Sequence, residues 1–268
     1  MTTKNVLAIH DMSCIGKSSL TVALPILSAY GGECRALPTA LLSTHTGGFS
    51  DFTFLDLTDE MRKILAAWQP LNLHFDAIYS GFMANVTQID ILKEIFGSYP
   101  ALRVVDPVMA DNGVLYSTFD EDYVKKMREL VPLSDIITPN VTEACLLTGI
   151  LYQEQHDEIF INDLLAGLRV LGASKIALTS VHQADKIGVA AAEGSSVSYH
   201  WTKEIRGLYH GTGDIFASVL TAQLMADKSF DTAVIEAVKF VSRAILATPA
   251  SADPRFGVNF EEVLANDK

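Results

Sequence analysis

The sequence predicts an α/β fold: a mostly parallel central sheet with helices on both faces and an antiparallel edge. Three observations predict it. Short apolar runs alternate with longer segments of helical spacing along most of the chain. Most of those runs end in a cluster of polar residues, as strands do when their carboxyl ends share one rim. Late in the chain the rhythm changes, and two strand-like segments with Glu193-Gly194 between them read as a hairpin. No repeat, low-complexity tract or linker interrupts the pattern, so residues 1–268 read as a single domain.

Asn5–His10 is a buried strand and Asp11–Gly16 a loop. Lys17–Tyr30 places Leu20, Leu24 and Leu27 on one helical face, with Pro25 inside it and Gly31-Gly32 as a stop. Glu33–Leu42 is the next strand, Ser43–Gly48 a polar loop, and Asp51–Leu57 a weakly alternating flap strand. Thr58–Trp68 is a helix with Asp59 and Glu60 suited to its first turn. Asp76–Ser80 is a strand, and Thr87–Phe96 a helix closed by Gly97. Leu102–Val105 is a strand ending at Asp106-Pro107, Glu121–Leu130 a helix, and Asp135–Ile137 a strand ending in Thr-Pro-Asn140. Thr142–Leu147 is a short helix stopped by Gly149, Ile159–Leu171 another, and Lys175–Leu178 a strand ending at Thr179-Ser180. The hairpin pairs Ile187–Ala192 with Ser196–Trp201. A helix follows the loop before Asp214, and a second covers about 232–246.

At 49% hydrophobic, the chain can bury a large core. Acidic residues outnumber basic ones, 32 to 20, for a net charge of −12. That sign repels nucleic acid and anionic membrane surfaces, so neither is an expected partner. It leaves nucleotides open, because backbone dipoles and a metal ion can hold phosphates in an acidic protein. Three scattered cysteines, Cys14, Cys34 and Cys145, form no disulfide framework or zinc motif. Met-Thr-Thr-Lys runs straight into a strand, with no signal peptide and no apolar run of spanning length, so a cytoplasmic protein is expected.

The strand tips carry the chemistry. They read His10-Asp11, Ser43-Thr-His45-Thr46, Gly81-Phe82, Asp106 to Asp111, Thr138 to Glu143, and Thr179-Ser180. Asp106, Asp111 and Glu143 are hard oxygen ligands suited to Mg²⁺ on a nucleotide's phosphates. The plainer alternatives are a capping aspartate before Pro107 and a solvated Glu143 in a first helical turn. Asp11 to Ser18 ends like a phosphate-binding P-loop, but Asp11 stands where that loop needs its first glycine. Asp11 is better suited to hydrogen-bonding a neutral or cationic ring. His10 and His45 read as loop residues without a nucleophile elbow. Cys14 reads as a small half-buried residue rather than a reactive thiol.

Leu208 to Asp214 is the most informative stretch. Gly211-Thr-Gly213 bends freely before a buried helix, whose N-terminus attracts anions. Asp214 beside such a site is suited to taking a proton from an attacking alcohol, or else it is only an N-cap.

Gly211-Thr-Gly-Asp214 with Ile-Phe-Ala-Ser behind it, Asp106-Pro-Val-Met upstream, and Ile137-Thr-Pro-Asn-Val-Thr-Glu143 between them resemble the ribokinase superfamily. Within it the chain is most similar to the pyridoxal kinase branch, which grades into hydroxymethylpyrimidine kinases. The resemblance runs from Val6 to about Leu246. It implies a three-layer α/β/α sandwich, a homodimer, and an ATP-dependent kinase acting on a ring hydroxymethyl group. Vitamin B6 forms are the expected substrates; the alternatives are hydroxymethylpyrimidine, both rings, or a catalytically silent relative. By resemblance Asp214 is the base, and Gly211, Thr212 and Gly213 form the anion hole. Asp106, Asp111 and Glu143 lie around Mg²⁺, with Thr138 at a monovalent-cation site (K⁺ or Na⁺). Asn140, Thr179, Ser180 and Glu143 face the nucleotide, and Asp11, His45, Thr46 and Phe82 face the ring. Two features depart from the pattern: many pyridoxal kinases carry Ser at the position of Asp11 and Tyr at that of Phe82, and residues 10–17 differ from the Gly-Ser-Asp loop of the pyrimidine kinases.

Overall fold

The structure is a computed structural model that describes residues 3–205, 207 and 209–266. Its strands are β1 (Lys4–Ser13), β2 (Gly32–Leu42), β3 (Phe54–Asp56), β4 (Ala77–Ser80), β5 (Leu102–Val105), β6 (Ala110–Asp111), β7 (Val114–Leu115), β8 (Ile136–Ile137), β9 (Lys175–Gln183), β10 (Lys186–Glu193) and β11 (Ser196–Lys203). Its helices are α1 (Leu20–Ala29), α2 (Thr58–Trp68), α3 (Val86–Ser98), α4 (Glu121–Arg128), α5 (Val141–Thr148), α6 (Glu158–Val170), α7 (Thr212–Met225), α8 (Phe230–Ala247) and α9 (Phe260–Asn266).

Nine strands form one sheet in the order β11-β10-β9-β8-β5-β4-β1-β2-β3. The six from β9 to β2 run parallel. The hairpin β10–β11 and the short β3 add antiparallel edges, as the sequence predicts. Strand alternation then sorts the core. Leu7, Ile9, Ile78, Val105 and Ile137 pack with residues of α2 to α6 on one face. Val6, Ala77, Tyr79, Val104 and Ile136 pack with α1, α7, α8 and α9 on the other. Both faces are covered, so the central strands read as continuous apolar runs. Each fully buried Leu or Ile contributes about 1.5–3 kcal/mol by leaving water.

Several boundaries differ from the sequence reading, each for a tertiary reason. β1 does not stop at His10: after a register shift, Met12 and Ser13 still pair with Leu41 and Leu42. His10 and Asp11 are therefore strand residues, not loop residues. β9 runs past Leu178 through Thr179-Ser180, because its end pairs with β10. α3 runs through Gly97 to Ser98 rather than ending there. The small hairpin β6–β7 has no counterpart in the sequence reading. It is tied to α5 by the Gly113 amide, which donates to Thr142 Oγ1 at 2.9 Å.

Because the six central strands are parallel, their carboxyl ends share one rim. There the strand tips meet the N-terminus of α7.

Candidate active site

Helix α7 begins at Thr212, with Gly211 as its N-cap at φ +78°. Asp214 is thus the third residue of the helix and not the N-cap, which corrects the plainer sequence reading. No side chain among the described residues caps this end, so the amides of Thr212, Gly213 and Asp214 stay available and carry the positive end of the helix dipole. The Thr212 hydroxyl is turned back to the Tyr209 carbonyl at 3.2 Å. Leu208 lies outside the described residues.

Asp214 has 14% of its side chain exposed and meets three groups, two from the end of β1 and one just before α1. The Ser19 backbone amide hydrogen-bonds its carboxylate, the Asp11 charge lies close, and His10 Nδ1 stands 3.9 Å from Oδ1. Burial, helped by Asp11 and opposed by the Ser19 amide, pushes the Asp214 carboxyl up to about 7. Ser19 has φ 53° and ψ −128°, a backbone conformation usually reserved for glycine. That geometry turns its amide toward Asp214 while its hydroxyl donates to Asp11. Ser13 donates to the other Asp11 oxygen at 2.8 Å. Burial raises the Asp11 carboxyl, and these two hydroxyls hold part of the rise back.

Across the rim, Asp106 and Glu143 are both buried. Burial first, then the Asp214 charge, raises Asp106 well above the ordinary carboxylate range. No hydrogen bond of normal geometry satisfies the buried Thr138 hydroxyl, although it lies near enough to oppose part of that rise. Burial, then the Asp106 charge, raises Glu143 likewise. Glu143 is not solvated, as the plainer reading had it; the Met109 amide donates to Oε1 at 3.1 Å and the Asn140 amide to Oε2 at 2.9 Å. The return bond from the Glu143 amide to Asn140 Oδ1 completes a capping box. Among the described residues, no three His, Cys, Asp or Glu side chains gather closely enough to hold a metal ion by themselves.

The carboxylates of Asp11, Asp106, Glu143 and Asp214 and the start of α7 line one cavity of about 470 Å³. Every predicted site residue borders it: Asp11, His45, Thr46, Phe82, Asp106, Asp111, Thr138, Asn140, Glu143, Thr179, Ser180, Gly211, Thr212, Gly213 and Asp214. They are not equivalent there. His45 has both ring nitrogens engaged, one with the Arg255 carbonyl at 2.6 Å and the other accepting from the Gly47 amide at 3.0 Å. Asn140 likewise spends its side-chain N–H on the Ala110 carbonyl at 2.8 Å. Thr46 and Asp111 are exposed at the mouth. Phe82 joins an aromatic wall, with the rings of Phe119 and Phe54 at 5.6 and 6.5 Å. Thr179 and Ser180 face the single residue Val189 across a bulge, and Ser180 takes φ 57°.

Ser18, Ser19, Tyr116 and His210 also line the cavity, and the sequence reading did not name them as site residues. Tyr116 arrives from the end of the β6–β7 hairpin, and His210 packs against Gly47 and His45. Neither lies at a strand tip; only His210's place beside Gly211 could have flagged it. The P-loop-like Lys17 turns away, with Nζ 2.7 Å from Glu261 and 3.2 Å from Asn259 Oδ1. Cys14 is exposed rather than half-buried.

An anion-binding helix start, a carboxylate in its first turn and paired acidic groups opposite make a phosphoryl-transfer constellation. The family model for phosphomethylpyrimidine kinases matches residues 24–258. The chain belongs to that family. Among solved structures, the chain is similar to a Bacteroides thetaiotaomicron protein provisionally assigned as a phosphomethylpyrimidine kinase and crystallised with pyridoxal. The two share 39% identity at a TM-score of 0.93, covering 99% of this chain and 96% of that one. Pyridoxal kinase from Lactobacillus plantarum follows at 35% identity and a TM-score of 0.92, with the same coverage. Hydroxymethylpyrimidine/phosphomethylpyrimidine kinase of Haemophilus influenzae is 26% identical over 90% of this chain and 91% of its own length. The fold is that of the ribokinase-like kinases, as the motifs implied. No helix among the described residues is long and apolar enough to cross a membrane.

Proposed function

We propose that this chain is a kinase that transfers the γ-phosphoryl group of ATP to the 5′-hydroxymethyl group of pyridoxal, pyridoxine or pyridoxamine. One observation carries the reading: Asp214 stands in the first turn of α7 beside that helix's uncapped amides, inside the shared cavity. The substrate hydroxyl loses its proton to Asp214 Oδ as it attacks. The amides of Gly211, Thr212 and Gly213 meet the charge on the transferred group, and losing one such donor costs about 3–4 kcal/mol of barrier. Gly213 is consistent with this: a Cβ there would meet no protein atom within 4 Å, so only the cavity itself gives a reason for glycine. Thr179 and Ser180, aimed by their bulge, and Asn140 lie on the nucleotide side. Phe82 supplies a ring-stacking wall, and Asp11 and Thr46 supply polar contacts.

The donor set fits Mg²⁺, since Asp106 and Asp111 offer hard oxygens and the unpaired Thr138 hydroxyl suits a monovalent cation (K⁺ or Na⁺). Among the described residues no carboxylate cluster is self-sufficient, so phosphate oxygens and water would supply the rest of the metal's ligands. Glu143 stands behind Asp106 as a buried anchor of the loop before α5 rather than as a free metal ligand, because its two oxygens already accept backbone amides. When bound, Mg²⁺ neutralises phosphate charge; the chain's own residues orient the ring, exclude water and take the proton.

The family model and the Haemophilus relative favour a second reading, phosphorylation of hydroxymethylpyrimidine alone or beside the B6 forms. ADP release measured with pyridoxal, pyridoxine, pyridoxamine and hydroxymethylpyrimidine separates the two. Turnover of the B6 forms is expected; turnover of the pyrimidine alone would sink the substrate assignment. A homodimer is proposed through the β1–β2–β3 edge, where Met12, Ile15, Leu41 and Leu55 expose apolar side chains. A sedimentation profile of monomer alone would remove it.

A further inference from the structure

His10 is fully buried, and neither ring nitrogen has a hydrogen-bond partner among the described residues. Such a group costs free energy unless something satisfies it. Its position is not loose. The ring packs edge-on to Tyr79 with centroids 4.3 Å apart. It also covers the backbone of Gly81, where a Cβ would fall 2.3 Å from Nδ1. Strand pairing of β1 with β2 fixes the main chain beneath it. The ring nitrogen on that side, Nδ1, is the one that looks at Asp214 Oδ1 from 3.9 Å. Closing that gap to a hydrogen bond takes about 1 Å, within reach of a side-chain rotation of Asp214.

We propose that His10 is a positioning residue for Asp214: in the substrate-occupied cleft its neutral ring donates Nδ1–H to the Asp214 carboxylate, fixing its rotamer and favouring its ionised form. This rests on the assignment of Asp214 as the base. Burial lowers His10 to about 3, so the ring stays neutral and works as a dipole rather than a charge. The other groups facing Asp214 are Asp11 on β1, the Ser19 amide before α1, Tyr79 on β4 and Asp106 after β5. Of these the carboxylates disfavour its ionisation. A donor from His10 joins the Ser19 amide in opposing them. No proton leaves His10, and its tautomer is fixed with hydrogen on Nδ1.

The test compares kcat against pH for His10→Phe and His10→Gln. Loss of the donor in the Phe variant is expected to move the acid limb upward by about one pH unit. Turnover near neutrality then falls severalfold, with KM for both substrates nearly unchanged. Gln restores an N–H and should return the limb toward that of the wild type. A wild-type acid limb in the Phe variant overturns the proposal. Should that variant not fold, ¹⁵N NMR of the histidine rings in the wild-type and Asp214→Asn proteins decides, with substrate analogue bound. The His10 resonances must report the Nδ1–H tautomer and shift on the substitution; unshifted resonances reject the contact. That readout does not depend on turnover, so it separates failure of the His10 contact from failure of Asp214 as base, which retained activity in Asp214→Asn would show.

Discussion

Gly211 lies directly against the carbonyl oxygen of Lys17: a Cβ added to it would sit 1.9 Å from that oxygen, at a φ of +78°. The start of α7 is therefore locked onto the first βα connection, the segment that also presents Ser19 to Asp214. Gly213, two residues on, has open space where a Cβ would go. The two glycines therefore predict opposite phenotypes. Gly211→Ala should lower stability by about 2 kcal/mol or more and remove activity together with the fold. Gly213→Ala should unfold at nearly the wild-type temperature yet lose turnover severalfold, because its methyl enters the space of the transferred phosphoryl group. Calorimetry paired with an ADP-release assay checks both. Equal losses of stability in the two variants would contradict the reading.

Asp214→Asn should leave a folded protein with turnover lower by orders of magnitude. The pH dependence has a definite sign. The folded carboxyl lies near 7, above its unfolded value of 3.8. The folded state therefore holds an extra proton between those values, and wild-type stability falls as pH rises through that window. Activity needs the ionised form, so kcat/KM should show an acid limb near 7 and rise above it. The Asn variant should then be more stable than the wild type above neutrality, by about 2 kcal/mol after allowing for partial exposure. The difference should vanish below about pH 4. Thermal unfolding at several pH values tests this, and a constant difference would count against the raised carboxyl.

Lys17→Ala separates this site from a P-loop. Lys17 pairs with Glu261 at 2.7 Å and lies 5.7 Å from the Phe260 ring, away from the cavity. Turnover and the KM for ATP should change little. Stability should fall by no more than about 1 kcal/mol, as for a partly exposed ion pair. A loss of nucleotide binding would instead place the lysine on phosphate.

The strand tips were legible in the sequence because each follows an apolar run in a parallel sheet, where topology alone brings the ends together. That logic places Asp11, Phe82, Asp106, Thr138 and Thr179 at one rim, where the structure has them. It misplaced where β1 and β9 end, since Asp11, Ser13 and Ser180 are polar residues kept in strands by partners distant in sequence. It also took His10 for a loop residue, because full burial comes from Tyr79 on β4 and Gly81 just after it. Ser19's glycine-like backbone leaves no mark in composition, and Tyr116 reaches the cavity through a hairpin of two-residue strands. Asp214 lies in the loop-to-helix stretch the glycines mark, but its place as the third residue of the helix depends on the φ of Gly211.

Glu143→Gln tests whether the capping box is structural. In the wild type each carboxylate oxygen accepts one backbone amide, from Met109 and from Asn140. A glutamine has one acceptor oxygen, so one buried amide must face an NH₂ group instead. The cost is about 2 kcal/mol, or a fall in Tm of about 4–8 °C. The size should depend on pH. Burial and the Asp106 charge raise the Glu143 carboxyl, so the wild type loses stability as pH rises through that raised range. The glutamine lacks this loss, so the deficit of the variant should shrink from acid to alkaline solution. Unfolding temperatures of the two proteins across pH are the measurement. A deficit that grew with pH would mean that ionised Glu143 stabilises the site, and that its backbone bonds outweigh the repulsion from Asp106.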